Sequence, residues 1–171
     1  MRLFLCLTIL ISLVSAPAEP RLQASSHLSS ADLAIPKPNL RRMIRDSGRI
    51  FAGTVIKVER ANPSPDSSIA TTQIIFRVDE PIWGVRRGQV LQIHEWAGLW
   101  QTGERYRVGE RVLLFLYPQS KLGLTSPVGG TIGRLQIDRD RRVALKSASS
   151  AGARTIELKT FAAALRRAAR E

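Results

Sequence analysis

The chain has 171 residues and a formal net charge of +12, from 26 lysines and arginines against 14 aspartates and glutamates. This length suits one ordinary domain with its own core. The single cysteine, Cys6, lies inside an N-terminal apolar run. Beyond that run the sequence therefore excludes cysteine nucleophiles, thiolate metal sites and disulfides.

The first residues have the layout of an export signal. Arg2 is followed by an apolar run from Leu3 to Val14 and by the small-x-small pattern Ala16-Pro17-Ala18. This pattern predicts a signal peptide over residues 1–18 and an exported protein, periplasmic or secreted, with no transmembrane span after cleavage. Residues 19–38, rich in serine and alanine, are predicted to form a flexible segment.

The positive charge is distributed along the chain in short pairs. Examples are Arg41-Arg42, Arg86-Arg87, Arg141-Arg142 and Arg166-Arg167. Proteins dedicated to nucleic acids usually concentrate their charge on one face. The spacing therefore favours general solubility and weak adhesion to anionic surfaces, with a specific polyanion site as the alternative.

Hydrophobic periodicity predicts a short helix followed by strands. Asn39 is a candidate cap for a helix that places Leu40, Met43 and Ile44 on one face. From Arg49 the pattern RIFAGTVIKVER is typical of a strand. Its apolar residues change phase near Val55-Ile56, which predicts a β-bulge there.

Three further strands are predicted before a glycine-rich region. The second, TTQIIFRV, is expected to end at Asp79-Glu80-Pro81, and the third, QVLQIHEW, to direct Leu91 and Ile93 inward. The fourth, RVLLFLYP, is apolar on both faces and is expected to be the central, most covered strand. Residues 121–137 predict a bent strand pair, and VAL a last short strand.

The C-terminal segment TFAAALRRAARE predicts an amphipathic helix. Thr160 is its expected N-cap, and Arg166-Arg167 are expected to lie on a solvated face. About five strands with a helix before the first and another at the end fit a small β-barrel or a β-sandwich.

The strand sequences together resemble netrin-like modules related to the tissue inhibitors of metalloproteinases. The resemblance lies in IFAGTVIKV, IIFRVDEPIWG, VLQIHEW and RYRVGERVLLFLYP, and it extends over roughly residues 40–145. It implies a mainly β fold with a five-stranded OB-like barrel at 39–145, followed by a linker and the C-terminal helix at 146–171. The chain is also similar to uncharacterised exported bacterial proteins of this kind.

The chain departs from the animal inhibitors at the residues that act. Those proteins place an N-terminal cysteine on the protease zinc, and no cysteine follows residue 18 here. No inhibitory residue carries over. An inhibitor role is therefore only an analogy from the fold, and one fold can host many functions.

The stretch HEWAGLW, residues 94–100, holds the candidate site residues. A zinc-protease helix needs a second histidine four residues after the first, whereas position 98 is glycine. On a strand His94 and Glu95 point to opposite faces, so a shared metal is not expected, and the alternative is a strand-end histidine with a surface glutamate. No metal and no cofactor are predicted.

The aromatic part of this stretch is the candidate binding site. Trp96, Leu99 and Trp100 lie near Gly98 and Gly103, and Arg105 and Arg107 follow closely. These five side chains are predicted to form a surface that stacks on a sugar ring, a base or a peptide. The alternative is that the two indoles cover the end of the barrel as a small core, which would avoid exposing them.

Three functions are consistent with these patterns. The first is an exported, non-enzymatic module that binds a protein or glycan partner at the cell envelope, with an exported metalloprotease as one candidate by analogy. The second is a binder of polyanions or single-stranded nucleic acid through arginines and aromatic stacking. The third is a hydrolase that uses His94.

Overall fold

A computed structural model describes residues 37–61, 69–99, 105–145 and 154–171 of the chain. The predicted signal peptide, nearly all of the predicted flexible segment, and Trp100 lie outside these ranges. No helix within them is both long and apolar enough to cross a bilayer.

Two helices frame the strands. Helix α1 spans Lys37–Asp46, and helix α2 spans Leu158–Ala168. Helix α1 begins two residues before the predicted Asn39 cap, since Pro38 is tolerated in a first helical turn. Helix α2 also begins earlier than predicted. Thr160 is therefore not its cap but lies in the first turn, where its hydroxyl donates to Glu157 Oε2 at 2.9 Å.

The strands are β1 (Arg49–Ala61), β2 (Thr71–Trp83), β3 (Val90–Trp96), β4 (Arg111–Leu116), β5 (Arg134–Gln136), β6 (Arg142–Leu145) and β7 (Arg154–Glu157). A 3₁₀ helix, Gly130–Gly133, precedes β5. The first five strands form one sheet in the order β3-β2-β1-β4-β5, and β6 pairs with β7. All pairs of neighbouring strands are antiparallel.

The mainly β fold, with a helix before β1 and another at the C-terminus, is confirmed. The five-stranded sheet is confirmed as well. Its edge strands β3 and β5 share no ladder within the described residues. Closure into an OB-like barrel therefore stays a prediction.

The predicted β-bulge near Val55-Ile56 is confirmed. The register of β1 against β2 shifts between Val55 and Lys57, so Ile56 is the extra residue. Strand β4 has five consecutive buried residues, as its doubly apolar sequence predicts. It lies between β1 and β5, whereas the middle strand of the sheet is β1.

Strand β2 is longer than predicted. It continues through Asp79-Glu80-Pro81 to Trp83, and its alternation of buried residues includes Glu80 and Ile82. Strand β3 pairs only with residues 71–77, so Pro81 lies beyond that ladder. Its missing N–H therefore costs no hydrogen bond to β3. Proline is tolerated in a sheet at positions of this kind, where the neighbouring strand is absent.

The sheet separates two groups of buried apolar side chains. Strands β1 and β4 contribute to both, because successive residues of a strand point to opposite faces. One group packs against the helices and includes Ile50, Phe115, Phe161 and Leu165. The other lies on the opposite face and includes Phe51, Phe76, Leu91, Ile93 and Leu114.

Candidate functional site

The candidate site lies at the C-terminal end of β3. Burial alternates along this strand, and Leu91 and Ile93 point inward as predicted, being 5% and 0% exposed. Trp96 follows on the outer side and is 54% exposed, and Leu99 is 39% exposed. Trp96 is therefore not part of a small core covering the end of the sheet.

Gly98 places the Trp96 indole. A Cβ atom at residue 98 would lie 2.4 Å from two atoms of the indole ring, well inside van der Waals contact. The ring therefore lies directly over the glycine. Only a residue without a side chain permits this close approach.

Arg105 and Arg107 are exposed and flank the buried residue Tyr106. The Tyr106 hydroxyl donates to Glu95 Oε1 at 3.2 Å. Since Glu95 directly precedes Trp96, this bond places the segment 105–107 beside the end of β3. We use the name aromatic surface for Trp96, Leu99, Arg105 and Arg107, with Trp100 as its predicted fifth member.

The backbone of this segment is held by two further residues. Arg134 Nη2 donates to the carbonyl of Arg105 at 3.2 Å and to Glu110 Oε1 at 2.6 Å. The other carboxylate oxygen of Glu110 accepts from the Arg107 N–H at 2.9 Å. Segment 105–107 is therefore fixed at a carbonyl, a hydroxyl and an N–H group.

These contacts lie in a mostly buried environment. The Arg134 guanidinium lies 4.0 Å from the centroid of the Tyr106 ring, a cation–π geometry. On another side the Phe76 ring meets Tyr106 edge to face at 5.5 Å. Burial, together with the neighbouring Glu95 carboxylate, raises the pKa of Tyr106 well above its ordinary value, so the phenol stays protonated and donates.

Glu110 is ionised within this network. Burial opposes its charge, but hydrogen bonds from Arg134, the Arg107 N–H and Gln136 outweigh burial and lower its pKa. The paired charges of Glu110 and Arg134 are buried together, with side chains 14% and 5% exposed. Replacing one partner of such a pair by a neutral residue leaves the other charge without compensation, which is strongly destabilising.

Glu95 differs from its prediction. The sequence predicts a surface glutamate, whereas Glu95 is 3% exposed. The inward alternation of β3 simply continues from Ile93 to Glu95, and the Tyr106 hydroxyl gives the carboxylate a partner. Glu95, Glu110 and Arg134 are the residues that sequence reasoning misses; only the alternation in β3 carries a signal, and only for Glu95.

His94 lies on the other face of β3, as predicted. Its ring nitrogen Nε2 is 2.9 Å from the Gln92 amide nitrogen, a contact that orients the imidazole but supplies no carboxylate. Within the described residues, no three His, Cys, Asp or Glu side chains are grouped as metal ligands.

Comparison with known protein families and with curated proteins gives no match to this chain.

Proposed function

We propose that the protein is an exported, non-enzymatic binding module whose aromatic surface contacts a protein or glycan partner at the cell envelope. The observation that carries this proposal is the half-exposed Trp96 indole, which lies over Gly98 beside a segment fixed at three points. An exposed indole on a rigid support loses little conformational freedom when it binds. Tryptophan and arginine are also the residues most enriched among those that dominate binding energy.

The partner class follows from the chemistry of the surface. An indole face packs against the apolar face of a sugar or against an apolar side chain, while neighbouring guanidinium groups donate hydrogen bonds. An exported metalloprotease is one candidate partner, but only by the resemblance to netrin-like modules. The export itself depends on the predicted signal at residues 1–18.

An OB-like barrel is the architecture we propose for this module. This proposal is supported by a contact between the edge strand β3 and the segment that follows β4. His94 and Leu124 form a parallel bridge, and the Thr125 N–H donates to the His94 carbonyl at 2.9 Å. The same segment continues along β4, where Pro127 bridges Leu116. Partly open five-stranded barrels of the OB type bind ligands on their strands and loops.

The experiment is capture of partners from the exported fraction of the producing cell by the chain from residue 19 onward. Trp96→Ala is expected to weaken capture at least tenfold, because removing a central tryptophan commonly costs about 2 kcal/mol or more. The matched control is Trp83→Ala, since Trp83 is 47% exposed and lies at the opposite end of β2. Equal capture by both variants would contradict the proposal.

A polyanion, including single-stranded nucleic acid, is the alternative ligand for the same surface. Exposed arginines such as Arg105 and Arg107, used together with an indole, would suit contact with phosphates and stacking on bases. Affinity for single-stranded DNA that falls steeply with salt, and that is lost in Trp96→Ala, would favour this alternative. Partner capture that is insensitive to salt would favour the protein or glycan.

A further inference from the structure

A groove lies near the ends of β2 and β3 that are far from Trp96. Trp96 pairs with Thr71, whereas Arg77 pairs with Val90. The two positions on β2 are six residues apart, about 20 Å at the rise of a strand. Near Arg77 is a groove of about 410 Å³, a size within the range of small-molecule sites.

The register of the sheet builds the floor of this groove. Arg111 on β4 pairs with Thr54 on β1, and Thr54 pairs with Arg77 on β2. Directly paired residues share one face of a sheet, so the three side chains form a row with a hydroxyl between two guanidinium groups. With strands about 4.8 Å apart, the two arginines start about 10 Å from each other.

Two more arginines complete the lining. Arg87 comes from the turn between β2 and β3, and Arg141 from the turn before β6. Leu158, the first residue of α2, also lines the groove, and the start of a helix carries partial positive charge. Among the described residues, the lining thus has four arginines and one carboxylate, that of Asp79.

The existing contacts leave part of this positive charge uncompensated. Asp79 accepts a hydrogen bond from the Thr54 hydroxyl at 2.6 Å and lies 3.4 Å from Arg77 Nε. Arg87 donates to Glu80 at 2.7 Å. Within the described ranges, no side-chain hydrogen bond or ion pair engages Arg111 or Arg141.

Arg141 is also held in a strained backbone conformation. Its φ is 59°, and among the described residues it is the one non-glycine with positive φ. Its N–H donates to the Asp138 carbonyl at 3.2 Å, and its own carbonyl accepts from the Leu158 N–H at 2.8 Å. Strain of this kind persists where the surroundings enforce it and often marks a functional position. Glycine would fit the turn without strain, but it would remove the guanidinium from the groove.

We propose that this groove binds the phosphate group of a small phosphate monoester, with Arg111 and Arg141 as its main donors. Guanidinium groups match the geometry of phosphate oxygens and form charge-assisted, often bidentate, hydrogen bonds. A phosphate would neutralise Arg111 and Arg141, to which the described residues supply no acidic partner. This site is independent of the aromatic surface and stands whether or not that surface binds a partner.

The test is a titration of the chain from residue 19 onward by calorimetry, with inorganic phosphate, a sugar phosphate, and chloride at matched ionic strength. We expect saturable binding of the sugar phosphate beyond any chloride effect. Tighter binding of the sugar phosphate than of inorganic phosphate assigns the site to a monoester, and equal binding assigns it to the phosphate group alone. Absence of saturable binding by both would overturn the proposal.

Variants separate the groove from general basicity. Arg111→Gln with Arg141→Gln is expected to weaken phosphate binding about tenfold or more, since one charge-assisted hydrogen bond is worth at least that factor. The charge-matched control, Arg167→Gln with Arg170→Gln, removes two exposed arginines that do not line the groove, and should leave binding unchanged. Equal losses in both would show that only net charge matters, against the proposal.

Arg141→Gly gives a second readout that does not depend on a loss of folding. Glycine relieves the positive φ, so the melting temperature without ligand should rise while phosphate binding weakens. A higher melting temperature with unchanged phosphate affinity would contradict the role of Arg141 as a ligand.

Discussion

At the scale of single residues, the position of the Trp96 ring depends on the absence of a side chain at residue 98. The atoms that a Cβ would meet belong to the end of the Trp96 side chain, not to backbone. The conflict can therefore be relieved by moving the indole. The absence of a side chain at residue 98, rather than the backbone of the sheet, therefore determines where the ring lies.

Gly98→Ala is predicted to displace the indole at a cost to the free energy of unfolding below about 1 kcal/mol, because φ at residue 98 is not in the left-handed region and a shift of the exposed ring relieves the clash. Partner binding through the aromatic surface should weaken, and the tryptophan emission should shift. The same substitution in a Trp96→Phe background is the control, since no indole is then displaced. An identical spectral change in that background would contradict the prediction.

At the scale of elements, helix α2 is joined to strand β2 by an arginine expected from the sequence to be solvated. Arg166 donates to Glu80 and, through Nε, to the Pro81 carbonyl at 3.0 Å. Glu80 also accepts from Arg87, so its buried carboxylate has two cationic partners. The prediction that both Arg166 and Arg167 are solvated is therefore wrong for Arg166, because tertiary packing brings a buried carboxylate to it.

Arg166→Ala is predicted to lower the free energy of unfolding by about 1–2 kcal/mol. A larger loss is not expected, because the arginine side chain is 33% exposed and solvent screens its charge. Its neighbour Arg167 is exposed, and Arg167→Ala should change stability by less than about 0.5 kcal/mol. Urea denaturation of the two variants measures this difference. Equal stability of both would show that the Arg166 contacts with β2 contribute nothing.

At the scale of the whole molecule, two carboxylates link stability to pH. Burial opposes the charge of Glu80, but hydrogen bonds from Arg166 and Arg87 outweigh it and lower the pKa of that carboxyl. The pKa of Glu110 is lowered as well, by its own set of donors. A carboxyl with a lower pKa in the folded state stabilises the fold above its unfolded pKa, about 4.3 for glutamate. That contribution is lost as the pH falls through the folded pKa.

We therefore predict that Glu80 and Glu110 contribute a nearly constant amount to the free energy of unfolding between pH 7 and about pH 5. Below about pH 4.3 their contribution, and with it the free energy of unfolding, should fall. Glu80→Gln with Glu110→Gln should be less stable at neutral pH and should lose less stability on acidification. The matched control replaces the exposed Glu59 and Glu171 by glutamine. A steep acid loss that persists in the Glu80 and Glu110 variant, measured by urea denaturation at pH 3–7, would contradict the prediction.

Sequence alone determined the features that depend on local periodicity. The two helices, the phase change that marks the bulge at Ile56, and the inward face of β3 all follow from the spacing of apolar residues, because side chains on the same face of a helix or strand share one environment. The exposure of Trp96, Leu99, Arg105 and Arg107, the described residues of the proposed site, was only partly predictable. The same sequence was also consistent with the alternative in which the indoles form a small core.

Only the tertiary structure decided which polar groups meet. Arg166 and Pro81 are 85 positions apart, and Arg134 and Glu110 are 24 apart. No local pattern encodes such pairs, because they depend on how the sheet and α2 pack together. The row Arg77, Thr54 and Arg111 likewise comes from the register of three strands, a property that exists only once those strands have paired.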